Sequence, residues 1–108
     1  MVRPKPRPST RQPKLLTSYR CLRGDAVTAT GFGRTRAVSG TEALLESPDS
    51  FPVGQVLVLE FLLDNDQIAK ARGHVTRVNQ AKSLFRVQVK FDELPVKTRR
   101  LLARQGAG

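Results

Sequence analysis

The sequence predicts a mainly β protein: a small six-stranded antiparallel β-barrel with one C-terminal α-helix and a flexible, basic N-terminal arm. Three observations carry this. Short runs of apolar and β-branched residues recur between turn signals from Leu15 to Phe91. The last of these alternates with period two, Phe85, Val87, Val89 and Phe91 against Arg86, Gln88 and Lys90. A helical signal is confined to the residues after that strand. At 108 residues the chain forms one domain with a modest core. We divide it into an arm at 1–13, a barrel with its helix at 14–104, and a tail at 105–108.

The arm carries Pro4, Pro6, Pro8 and Pro13, which exclude a helix or a central strand and favour an extended, mobile segment. Leu15 to Leu22 reads as the first strand, closed by the turn Arg23-Gly24-Asp25. Ala26 to Ser39 is a longer strand, in which Gly31 and Gly33 mark a bulge or the close approach of another backbone. A polar turn, Ser39-Gly40-Thr41-Glu42, leads to a short strand at Ala43 to Ser47 and a second turn at Pro48-Asp49-Ser50. Gln55 to Leu63 is apolar apart from Glu60, the pattern of a strand covered on both faces.

Asp64-Asn65-Asp66 is a turn into the fifth strand. There Ala69, Ala71, Gly73 and Val75 alternate with Lys70, Arg72, His74 and Thr76, and Val78 breaks parity, predicting a bulge near Arg77. Asp92 or Glu93 is expected to start the helix, with Pro95 in its first turn and Lys97, Arg99, Arg100 and Arg104 following, an order that suits the macrodipole. Leu94, Leu101 and Leu102 are its expected packing residues, against the sheet or over a barrel mouth.

The formal net charge of +10 implies an anionic partner: nucleic acid, a nucleotide, a membrane surface or an acidic protein. It is concentrated early, since Arg3, Lys5, Arg7, Arg11, Lys14, Arg20 and Arg23 all precede the first acidic residue, Asp25. No apolar run is long enough for a membrane span, and Met1 is followed by Arg and Pro rather than a secretory signal. A lone cysteine, Cys21, forms no intramolecular disulfide and reads as a strand residue, which points to the cytoplasm.

Catalysis and metal binding find no footing. His74 falls on a polar strand face with no carboxylate implied nearby, no nucleophile elbow or phosphate-binding loop is present, and the acids fit no metal spacing. Binding is better supported. Arginine forks and free backbone N–H groups hold phosphate and read a guanine edge, and Arg11, Lys14, Arg20, Arg23 and Arg36 converge if the arm folds back across the Ser39 turn. Tyr19 and Phe32 are the stacking candidates near that end, fewer than general single-strand binding uses.

In order and spacing, residues 11–104 resemble a PilZ domain, a bacterial family of six-stranded barrels that serve as receptors for cyclic di-GMP. The resemblance runs through the basic arm, two strands, the Ser39 turn, Pro52-Val53-Gly54 before an apolar strand, Gly73, Val75 and Val78, Val89-Lys90-Phe91, and the terminal helix. The family's turn motif is Asp/Asn-x-Ser-x-x-Gly. Here Ser39 keeps the serine, but Ala37 stands first and Glu42 last. Ala37 forms no hydrogen bond to guanine, and Glu42 adds bulk and negative charge where a phosphate needs room. The family's Arg-x-x-x-Arg pattern occurs at Arg3/Arg7 and Arg7/Arg11, early relative to the turn, and at the usual distance runs from Arg11 to Leu15.

The resemblance implies a non-enzymatic regulatory or adaptor domain in cyclic di-GMP-type signalling, in motility, pilus function or surface behaviour, with its own nucleotide binding weakened or lost. If cyclic di-GMP is bound, Arg11 and Lys14 clamp it, Arg36 adds charge and Ser39 bonds it. If the partner is an acidic protein, Arg99, Arg100 and Arg104, or the face with Arg86, Gln88 and Lys90, meet it. The alternative from another class is a basic β-barrel that binds nucleic acid, whose affinity falls steeply with salt.

Overall fold

The computed structural model describes residues 14–63 and 66–106, with side chains through Leu102. The expected arm and most of the Asp64-Asn65-Asp66 turn lie outside these residues. The described chain runs β1 (Leu15–Arg23), β2 (Ala26–Val38), β3 (Glu42–Ser47), β4 (Val56–Leu62), β5 (Ile68–Ala81), β6 (Leu84–Glu93) and α1 (Val96–Gly106). All pairings are antiparallel, and the ring order β1-β2-β3-β6-β5-β4 closes into a barrel through the β1–β4 ladder. The expected fold class is therefore the observed one.

Period-two alternation fills the barrel. Leu57, Leu59 and Phe61 of β4, Val87 and Val89 of β6, Leu45 of β3 and Val75 of β5 are fully buried. The outward residues of β4, Val56, Val58 and Glu60, are only half-buried. This corrects the reading of that strand as covered on both faces, because the outer face of a closed barrel meets solvent whatever the sequence there. Buried hydroxyls satisfy one another: Thr17 Oγ1 lies 2.8 Å from Thr35 Oγ1 and 2.9 Å from the Leu15 carbonyl.

Tyr19 occupies the centre of β1 rather than a ligand platform. Its ring meets Phe51 edge-on at 5.2 Å, and its hydroxyl donates to Asp49, beside Ser47. At 2% exposure it is unavailable for stacking, whereas Phe32 at 68% remains open. Burial, then the Asp49 hydrogen bond, raises the Tyr19 pKa. Burial likewise raises that of Cys21, as befits an inert strand thiol.

The expected approach of another backbone occurs at Gly33, while Gly31 instead makes room for a side chain. A side chain at Gly31 would strike the Tyr19 ring, and one at Gly33 would strike the Glu46 carbonyl oxygen of β3. The bulge expected near Arg77 falls at Thr76, where the β5–β6 register shifts between Val75 and Arg77.

The helix begins later than its charge pattern implied. Asp92 and Glu93 complete β6, and Pro95 precedes the helix, its carbonyl accepting from Arg99 N–H at 2.8 Å. Pro95 therefore caps the helix, with no acidic residue in the first turn. The helix continues through Gly106, beyond position 104. Its contacts are with β2 and β5, which lie opposite one another in the ring, so it crosses the barrel's end. Leu102 is fully buried as the plug, and Leu94 and Leu101 pack, partly buried, against the same core.

Replacing Gly33 by Ala should destabilise the barrel by about 1–3 kcal/mol, because a Cβ there forces β2 and β3 apart. Urea unfolding of the two proteins measures the difference, and equal midpoints would contradict the close approach.

Candidate functional site

The Ser39 turn is built largely by Ser39 itself. Its Oγ accepts the N–H groups of Thr41 and Glu42, both at 3.2 Å, and its own N–H donates to the Glu42 carbonyl at 2.9 Å. Thr41 is held in turn by its carbonyl, which accepts from Phe91 N–H at 2.8 Å. A side-chain oxygen folding back on the following backbone is what a small hydroxylated residue does in a turn. The hydroxyl expected to meet a ligand is thus engaged inside its own loop.

An open cavity of about 490 Å³ lies beside this turn, lined by Ala37, Val38, Ser39, Glu42, Ala43, Leu44 and Gln88. It falls on the motif positions that sequence reasoning singled out. Its wall at Ala37 offers no hydrogen-bonding side chain, and its one carboxylate, Glu42, accepts a hydrogen bond from Gln88 Nε2. Gln88 is a site residue the sequence reading did not find as such. Only the β3–β6 register, which sets Leu44 opposite Gln88 and Glu42 opposite Lys90, places it there.

Lys14 and Arg36 are drawn together, but by an acid. Glu46 of β3 lies 3.0 Å from Lys14, 3.3 Å from Arg36 and 3.8 Å from Arg86, and is only 9% exposed. A bulge makes this possible. Thr35 pairs with Leu45 and Ala37 with Leu44, so Arg36 is an extra residue that projects outward from β2. Burial alone would raise the Glu46 pKa. The Lys14 hydrogen bond and the charges of Lys14, Arg36 and Arg86 outweigh it and hold the carboxyl below its ordinary value. Glu46 sits where the period-two pattern puts an outward residue, and nothing in that local pattern announces the three cations that cover it.

Among the described residues, Arg20 and Arg23 do not join this cluster. Arg11 lies outside the described residues. Arg20 and Arg23 are carried toward the far end of β1, Arg23 about 26 Å from Leu15 at ~3.3 Å per residue, and Arg20 sits 3.7 Å from Glu60. The helix arginines fare differently. Arg99 and Arg100 are exposed and form no ion pair among the described residues, while the side chain of Arg104 lies outside them. The stem of Arg99 lies across Gly40, whose Cβ position is 3.3 Å from Arg99 Cγ. The partner face and the ligand turn, separate in the sequence reading, therefore touch.

His74 also differs from expectation. Its Nδ1 lies 2.6 Å from Asp92 Oδ1, because β5 and β6 shift register between Arg72 and Gly73, leaving Asp92 as the extra residue turned toward it. Among the described residues no group of three or more His, Cys, Asp or Glu could hold a metal ion, and no helix is long and apolar enough to cross a membrane.

With barrel, end-crossing helix and motif turn in place, the comparison with known proteins agrees. The PilZ domain family matches residues 5–105, nearly the whole chain, and the protein belongs to that family. No curated protein matches it. PilZ domains are binding and regulatory domains, and membership places the chain in the setting of cyclic di-GMP signalling.

Because the Glu46 pKa is lowered by folding, its stabilisation is present above the ordinary glutamate value and lost as pH falls through the lower folded value. Glu46→Gln should therefore cost about 1–3 kcal/mol at neutral pH. The gap to the native protein should shrink below pH ~4. Urea unfolding across a pH series checks both the size and the direction.

Proposed function

We propose that the protein is a regulatory adaptor of the cyclic di-GMP type, cytoplasmic and non-enzymatic, acting on motility, pilus or surface behaviour through an acidic protein partner. Its own affinity for the nucleotide is weakened or lost. One observation carries the reading: the groups that would hold a dinucleotide are already engaged. Lys14 and Arg36 sit on Glu46, and Ser39 on its own turn. Glu42 sets a carboxylate at the cavity that a phosphate would enter. A phosphodiester would have to compete with a well-placed carboxylate for both cations while approaching another negative charge.

The face we assign to the partner is the helix side, where Arg99 and Arg100 are exposed, with Lys90 on the neighbouring outer face of β6. Exposed arginines that form no ion pair among the described residues suit a carboxylate-rich surface, which accepts their forks without a desolvated ion pair to break first. The cavity beside Ser39 and the Arg99 stem over Gly40 favour a second reading, a receptor in which the arm's Arg11 supplies the missing contact.

Calorimetric titration at physiological salt separates these readings. With the native chain, cyclic di-GMP, GTP and a short single-stranded oligonucleotide should all fail to bind tightly. The double variant Ala37→Asp, Glu42→Gly restores the family's turn motif and should strengthen cyclic di-GMP binding by about tenfold or more, as one recovered hydrogen bond and one removed like charge imply. Saturable micromolar binding by the native chain, lost on deletion of residues 1–14, would favour the receptor. Binding of the oligonucleotide alone, steeply weakened by salt, would favour the nucleic-acid reading.

A further inference from the structure

The barrel is closed, yet β2 is longer than its neighbours can cover. Its pairing with β1 extends from Ala26 to Thr35, whereas pairing with β3 begins only at Arg34. Over residues 26–32, β2 has a strand on one side only, and at Gly33 the Glu46 carbonyl of β3 already closes in. No backbone hydrogen bond outside the β1 ladder reaches this stretch among the described residues. Ala26 to Thr30 are all exposed, as is Phe32. Such an edge is normally blunted by lysine, proline or an inward charge, and AVTATGFG has none of these.

We propose that this edge is a docking surface for a second copy of the same chain, joined by antiparallel pairing of β2 with β2 about a two-fold axis at Thr30. Three observations select that occupant. The first is the register. The β1–β2 ladder sets Cys21 opposite Ala29 and Leu22 opposite Val27, so Thr28 is an extra residue. Pairing Thr30 with Thr30, and letting each Thr28 bulge, sets Gly31 opposite Ala29 and Phe32 opposite Val27, and ends where β3 takes over at Gly33. Every such pair shares a face. Val27, Thr30 and Phe32 lie on the outer face with Leu22, Arg20 and Ser18, and Val27 and Phe32 are 52% and 68% exposed. A Thr–Thr centre flanked by two aromatic–β-branched pairs is a favourable cross-strand arrangement.

The second observation is length. The free edge starts at the Gly24-Asp25 turn and ends where β3 joins, so in this register each copy's hairpin turn falls where the other's β3 enters. The third is charge. A chain of net charge +10 repels its copies, and this exposed stretch carries no cation. At its ends the register brings Asp25 of one copy toward Arg34 of the other, and Arg34 has no ion pair among the described residues. The arm of the same chain is a poor rival, since its prolines lack the N–H groups a strand needs.

Sedimentation equilibrium of the full chain over a wide concentration range tests this, with Thr30→Lys and Thr30→Glu beside the native protein. The native chain should show a reversible monomer–dimer equilibrium that tightens as salt screens the net charge. Both variants place like charges across the axis, so each should weaken dimerisation by about tenfold. Amide exchange at residues 27–32 should slow as concentration rises. Thr30 is exposed, and thermal melts of the variants confirm that the barrel is kept. A chain that stays monomeric throughout overturns the proposal. A dimer that tolerates both variants, or responds to only one sign of charge, overturns it as well.

Discussion

Closure of the sheet is the constraint on which the rest of this structure depends. β1 pairs with β2 on one side and β4 on the other, and the ring is complete only because β6 turns back to lie beside β3. A six-membered ring this narrow has room inside for one layer of side chains, supplied by alternate residues of every strand. It also forces neighbouring backbones close together, hence glycine at Gly33 against the Glu46 carbonyl and at Gly73 against the Lys90 carbonyl. Bulges at Thr28, Arg36, Thr76 and Asp92 absorb the curvature. Two of these extra residues, Arg36 and Asp92, carry charges that the bulge turns toward a partner.

The electrostatics of the motif face follow from that geometry. A single carboxylate, Glu46, gathers Lys14, Arg36 and Arg86, which come from the entry to β1, from β2 and from β6. An isolated surface ion pair contributes little, but a nearly buried carboxylate with several cationic partners is harder to displace. The chain therefore spends part of its basic charge internally, while Arg99, Arg100 and Lys90 stay exposed and form no ion pair among the described residues. The net charge of the sequence describes the molecule correctly and the location of the available charge poorly.

Much of the architecture was legible because period-two alternation and turn residues are local signals. The strands, the Ser39 turn, the close backbone at Gly33 and the plugging leucine Leu102 all follow from such patterns. What escaped depends on register. Nothing near His74 in the chain announces Asp92, and nothing near Lys14 announces Glu46. Each meeting is created by which strand pairs with which, and by a one-residue shift at a bulge. Tyr19 misled for a similar reason. Its place on an inward position of β1 is visible only once the barrel's two faces are assigned, after which Phe51 and Asp49 close around it. The helix start was misplaced because Asp92 and Glu93 resemble N-terminal helix residues, while the β5 ladder holds both in β6.

The contact between Arg99 and Gly40 joins two parts of the molecule that the chain keeps far apart. Gly40 lies in the motif turn, and Arg99 lies one turn of helix before Leu102, which closes the barrel. An atom added at Gly40 would sit 3.3 Å from the Arg99 stem, so whatever fills this side of the turn meets the helix's arginine first. The turn and the exposed arginine face are thus one continuous surface, and an occupant of either has the other as its neighbour.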